Sequence, residues 1–149
     1  MIELRRSTPD DVAAVGRLVE CLFAELNDGQ AGPAYQTSSV ERVLQDTERS
    51  FGYLAFDDQD PVGILLMTDG VAIFAGGAFG QITELYVTPE FRSKGIAAML
   101  MHQAADFGRS RGWRRLDVGA PHQPRWHRTL GFYLSEGFVE VGPRLRLDL

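Results

Sequence analysis

The chain has 149 residues, 44% of them apolar, which suits one domain (1–149) with a real core. A formal net charge of −5 and a pI near 5.1 argue against a general nucleic-acid binder and suit a surface that attracts cationic small molecules. Cys21 is the only cysteine, which rules out an internal disulfide and a cysteine metal site.

Met1-Ile2-Glu3-Leu4 has no basic region ahead of an apolar run, so no signal peptide is expected. No apolar stretch approaches the ~20 residues that cross a bilayer. The expectation is a soluble cytoplasmic protein that engages neither membrane nor nucleic acid. Ile2–Arg5 alternates apolar and polar and predicts a short strand. Thr8-Pro9-Asp10-Asp11 then marks a helix start: Thr8 can cap, Pro9 fits the first helical position, and the aspartates favour the positive end of the dipole. The stripe Val12, Val15, Leu18, Val19, Leu22, Phe23, Leu26 has helical period, so one face packs on a sheet, with Cys21 at its edge as a small packing residue.

Residues 27–37, with Asp28, Gly29, Gly32 and Pro33, predict a loop; a shorter helix starts at Ser38 or Ser39 with Val40, Val43 and Leu44 on one side. The acidic residues here, Glu20, Glu25, Asp28, Glu41, Asp46 and Glu48, read mostly as a solvated face. Phe51–Asp57 and Val62–Thr68 predict a hairpin around Asp57–Pro61. Asp69-Gly70 predicts a second turn, Val71–Phe74 prolongs the sheet, and Ala75–Gly80 is a small-residue connector. That glycine cluster lacks the lysine and Ser/Thr of a P-loop.

Gln81–Val87 predicts a strand that turns at Thr88-Pro89-Glu90-Phe91 into the basic, small-residue loop Arg92-Ser93-Lys94-Gly95-Ile96-Ala97. The loop opens into a helix with Ile96, Met99, Leu100, Ala104 and Phe107 at helical spacing. A helix start offers unpaired N–H groups and partial positive charge. With Arg92 and Lys94 beside it, and with Gly95 and Ala97 adding little bulk, it suits a phosphate or pyrophosphate.

Arg114–Ala120 predicts a strand that a right-handed crossover makes parallel to the central one. Pro121–Arg125 is a loop, Trp126–Glu136 a short helix, and Gly137 its left-handed cap. Phe138–Val141 and the alternating Leu145–Leu149 predict two last strands, the final one suited to pairing across a two-fold axis in a homodimer.

Glu84–Ala97 resembles the central motif ELYVxPxxRxxGIx of the GNAT superfamily of N-acetyltransferases, and Phe132–Phe138 resembles its second motif, FYxxxGF. The likeness runs over nearly the whole chain. It implies an α/β fold with a mixed, mostly antiparallel sheet of about six to seven strands flanked by about four helices. It implies acetyl-CoA as co-substrate, with no metal, and a primary amine as acceptor: a small cationic amine first, a peptide or protein amino group second. Arg92, Ser93, Lys94, Gly95, Ile96 and Ala97 would then hold the pyrophosphate. Leu85, Tyr86 and Val87 would bond pantetheine and the acyl oxygen where their strand splays from the next. Tyr133, also against the cofactor, would protonate the departing thiolate, and its reference pKa near ~10 suits a thiol near ~8.5.

For the base, related enzymes use a strand glutamate, here Glu84, which strand alternation sets opposite Thr83 and Leu85. His122 and His127 are alternatives by their reference pKa, and His102 a weaker one. Tyr35 borders the acceptor pocket in the resemblance. Seven residues before Tyr133 the family has a cofactor-binding asparagine, but this chain has Trp126, which would line the acceptor pocket instead. Two rivals lack the reaction: a non-catalytic acyl-CoA-binding or regulatory module that keeps the fold, and an anion-binding interaction domain.

Overall fold

The helix start at Thr8 forms as its residues dictate. In the computed structural model of the chain, which describes residues 1–27 and 37–149, Thr8 Oγ1 accepts from the Asp10 N–H at 3.2 Å. The Asp11 carboxylate accepts from the Thr8 N–H at 2.7 Å, closing a capping box around a short 3-10 turn, Pro9–Asp11. Helix α1 (Val12–Leu26) follows, and α2 (Thr37–Gln45) packs beside it.

Five strands run in chain order across one sheet: β1 (Ile2–Arg6), β2 (Ser50–Asp57), β3 (Asp60–Ala72), β4 (Gly77–Val87) and β5 (Leu116–Val118). The first four are antiparallel neighbours. The Arg114 N–H donates to Ala78 and the Gly80 N–H to Arg115, bonds that advance in step along both chains as parallel pairing requires. This is the mixed, mostly antiparallel α/β architecture that the resemblance implies, with four α-helices among the described residues.

One face of the sheet carries α1 and α2: Val15, Leu18, Val19, Val40 and Leu44 close on Leu54, Ile64, Leu66 and Tyr86. Fully burying each large apolar side chain contributes about 1.5–3 kcal/mol. Helix α3 (Ile96–Ser110) buries Ile96, Leu100, Met101 and Ala104 against the other face. A Cβ on Gly63 of β3 would come within 3.3 Å of both Ile96 and Leu100, so α3 lies directly over that strand.

Among the described residues the sheet has five strands, not six or seven, for two reasons. Asp69-Gly70 is not a turn but lies inside β3, which absorbs the expected extra segment as far as Ala72. The Asp69 carboxylate accepts from Trp113 Nε1–H and from Arg111, both at 2.9 Å, and a Cβ on Gly70 would come within 2.8 Å of the Phe79 ring. Tertiary contacts thus override two residues that favour turns in isolation. Residues 138–149 also form no strand. Alternation predicts a strand only where one face is buried, yet Val139, Val141, Leu145, Leu147 and Leu149 are all exposed.

The described residues fall into two compact units, Met1–Asp117 and Val118–Leu149. In the second, α4 (His127–Ser135) ends as Gly137 predicts, at φ +99°. The Phe138 N–H donates to Tyr133 and the Gly137 N–H to Leu134, each at 3.1 Å, and the Phe138 and Tyr133 rings meet at 5.6 Å. Those two bonds and that contact make a Schellman cap. Among the described residues no helix is long and apolar enough to cross a membrane.

Candidate active site

Strand β4 stops where Pro89 removes a backbone donor, and a 3-10 turn, Pro89–Phe91, redirects the chain. Ser93 then takes φ +62° and Gly95 φ +81°, with α3 starting at Ile96. Left-handed residues alternating with ordinary ones aim successive N–H groups into one concavity, and the helix start adds its own unpaired donors. A Cβ on Gly95 would meet nothing within 4 Å. Glycine is there for its backbone angle, and the space above it is open. Ser93, Lys94 and Gly95 are exposed, Ala97 is half-buried, and Lys94 Nζ sits 5.0 Å over the Phe91 ring. The loop is therefore an open, cradle-shaped turn lined by main-chain amides.

Arg92 does not face that cradle with its guanidinium. Its Nε–H donates to the Val87 carbonyl at 2.9 Å and an Nη to Glu25 of α1 at 2.6 Å, while the group stacks 5.3 Å from the Tyr86 ring. The Glu25 carboxylate raises the Arg92 pKa. Burial first, and Glu25 second, push the Tyr86 hydroxyl well above its usual value. Glu25, Tyr86, Arg92 and the Val87 carbonyl are one connected cluster.

Leu66 of β3 pairs with Glu84 and its neighbour Met67 with Ile82, so Thr83 is the extra residue of a β-bulge. The Thr83 hydroxyl donates to the Glu84 carboxylate. Regular alternation would have set these two side chains on opposite faces; the bulge brings them together, which corrects the expected geometry. Glu84 shares Leu66's register position and stands two residues before Tyr86, on the sheet face that carries α1 and α2. Tyr86 and Val87 are buried, and Leu85 is half-buried opposite Leu65.

In the second unit Tyr133 is 6% exposed, and burial alone pushes its hydroxyl up to about 12. Trp126 stands at the N-cap of α4 under the Arg125 guanidinium, 5.6 Å from the ring centroid. His122 and His127 are exposed, with His127 Nδ1 at 3.2 Å from the Pro124 carbonyl. His102 is exposed on α3. Tyr35 lies outside the described residues. Among the described residues no three His, Cys, Asp or Glu side chains group as metal ligands.

Sequence reasoning passed over three groups here. Glu25 read as part of a solvated face because nothing local reveals an ion pair to Arg92 across 67 positions. The Thr83 bulge needs the partner strand to be seen. The Thr88 hydroxyl oxygen, just past Val87, is buried without a hydrogen-bond partner, leaving it a donor and acceptor beside the end of β4.

Residues 20–138 match the acetyltransferase (GNAT) family, across the boundary between the two units. The chain is 29% identical over 138 residues to an uncharacterized N-acetyltransferase of Archaeoglobus fulgidus, covering 91% of each. It is 25% identical over 117 residues to a thialysine N-epsilon-acetyltransferase of Caenorhabditis elegans, covering 77% of this chain and 70% of that one. The fold also superposes on a ribosomal-protein-alanine N-acetyltransferase from Brucella melitensis biovar Abortus 2308 with a TM-score of 0.77, at 23% identity over 100% of this chain and 99% of that one.

Proposed function

The chain belongs to the acetyltransferase (GNAT) family of N-acetyltransferases, and from that premise we propose that it moves acetyl from acetyl-CoA to a primary amine by direct attack. The observation that carries this reading is the cradle of Ser93 and Gly95 at the start of α3, whose amides suit a pyrophosphate, with Lys94 exposed beside them. Arg92 would contribute through its backbone; Ser93, Lys94, Gly95, Ile96 and Ala97 complete the loop. Leu85, Tyr86 and Val87 would bond the pantetheine amides and the thioester oxygen through their main chain, where fixed donors stabilise developing negative charge.

Glu84 is the proposed base, taking a proton from the acceptor ammonium so that nitrogen can form its bond to the acetyl carbon. As the carbon–sulfur bond breaks, Tyr133 would give its phenolic proton to the thiolate. Burial raises the Tyr133 pKa to about 12, so the hydroxyl holds its proton at neutral pH and is a weaker acid than a free phenol; the role rests on the resemblance of Phe132–Phe138 to the family's second motif. Trp126 and Tyr35 are proposed to line the acceptor pocket. His122 and His127 stand as the alternative bases.

A small cationic amine is the favoured acceptor, supported by the −5 net charge, by the Glu84 carboxylate on β4, and by the thialysine enzyme among the relatives. A peptide or protein amino group comes second. The two units would work as one domain, in the cytoplasm, and the exposed apolar row of the last residues would pair two chains in a homodimer. A panel of amines incubated with acetyl-CoA, read by thiol release, tests the reading. Release that depends on a cationic amine is expected; no release with any primary amine overturns it.

A further inference from the structure

Arg92 is the most basic side chain of the loop, yet its guanidinium is committed elsewhere. Nε–H holds the Val87 carbonyl at 2.9 Å, an Nη holds Glu25 at 2.6 Å, and the plane lies over Tyr86. These contacts join three segments: the last turn of α1, the end of β4 and the loop that opens α3. A planar guanidinium can donate in two fixed directions at once, which a lysine ammonium on a single flexible stem does not reproduce. The Arg92–Glu25 pair is only partly screened, with side-chain exposures of 44% and 34%.

We propose that Glu25 and Arg92 are a positioning pair: Glu25 keeps the Arg92 guanidinium off the phosphate site and braces the cradle between α1 and β4, leaving pyrophosphate to main-chain amides and Lys94. The inference rests on the acetyl-CoA reading. It assigns Glu25 a role in cofactor affinity although it lies 67 positions away from Arg92 in sequence. It also separates two jobs that the loop's basic residues share by composition. Arg92 sets backbone shape, and Lys94, exposed beside Gly95, supplies long-range charge.

Calorimetric titration of CoA into the full chain tests this. Glu25→Gln and Arg92→Gln should each weaken CoA about ten- to hundredfold, the usual worth of a charge-assisted hydrogen bond. The double variant should be no weaker than the worse single one, since both remove the same brace. Arg92→Lys should not rescue affinity. Arg92→Gln should leave the salt dependence of binding unchanged, whereas Lys94→Gln should flatten it. The proposal is overturned if Glu25→Gln tightens CoA, if Arg92→Lys restores wild-type affinity, or if the two single losses add. Failure of the wild-type chain to bind CoA would instead sink the acetyl-CoA reading. The brace is then read by hydrogen exchange of the Ser93–Ala97 amides, which should quicken in Glu25→Gln; unchanged exchange overturns it.

Discussion

The Thr83 hydroxyl donates to the Glu84 carboxylate, a contact between chain neighbours that an unbroken strand forbids. The bulge that permits it displaces Thr83 and leaves Glu84 on the face shared with Tyr86 and Leu66. If Glu84 is the base, Glu84→Gln should lower kcat about 10²- to 10⁴-fold while leaving CoA affinity intact. A loss under threefold in steady-state assays would move the role to His122 or His127.

Tyr133 is buried between Phe132 and Phe138, with its hydroxyl pushed up to about 12. Tyr133→Phe keeps the ring contacts and removes only the proton. Turnover should fall about 10²-fold or more, with CoA binding by calorimetry unchanged. Since the folded pKa is raised, the hydroxyl keeps its proton through the whole neutral range. The alkaline limb of the wild-type rate profile should therefore not report Tyr133 below about pH 11. Unchanged turnover in the phenylalanine variant would remove Tyr133 from the mechanism.

Gly95 sits at φ +81° with open space where a Cβ would go. Gly95→Ala should destabilise the fold by about 1–2 kcal/mol through backbone strain alone, measured by urea unfolding, and should weaken CoA as the cradle shifts. Ser93→Gly, at φ +62°, relieves the same kind of strain and should be neutral or stabilising. The opposite ordering would mean that these angles do not govern the loop.

Asp11 is 9% exposed, and the Arg5 guanidinium, then the Thr8 N–H, hold its pKa below the usual carboxylate value against the cost of burial. A lowered folded pKa contributes stability that is present above the unfolded pKa, near ~3.9, and lost as pH falls through the folded value. Melting temperature should thus drop as pH falls below about 4, and Asp11→Asn should flatten that dependence while costing about 1–3 kcal/mol at pH 7. Equal acid sensitivity in the variant would assign the effect to other carboxylates.

How much of this was readable beforehand depends on how local the cause is. Thr8, Pro9, Gly95 and Gly137 act through their own backbone and nearest neighbours, and each sits where its residue type predicts. The Leu85-Tyr86-Val87 strand and the α3 opening were legible from pattern and resemblance together. What escaped depends on distant partners. Gly80 has room only for a hydrogen because a Cβ there would come within 2.2 Å of the Trp113 ring, and Gly108 meets the same ring at 2.8 Å. Their spacing with Trp113 says nothing of this in sequence. The direction of Arg92, the Thr83 bulge and the exposure of Leu145, Leu147 and Leu149 are likewise settled by segments far along the chain.

The account depends most on main-chain donors around Gly95 gripping the cofactor's pyrophosphate. Titration of CoA into the folded 149-residue chain, with Gly95→Val as the control, tests it most directly. Saturable heat with the wild-type chain, lost in a variant that remains folded by circular dichroism, is the predicted result. No heat at millimolar CoA, or the same affinity in both proteins, would contradict it.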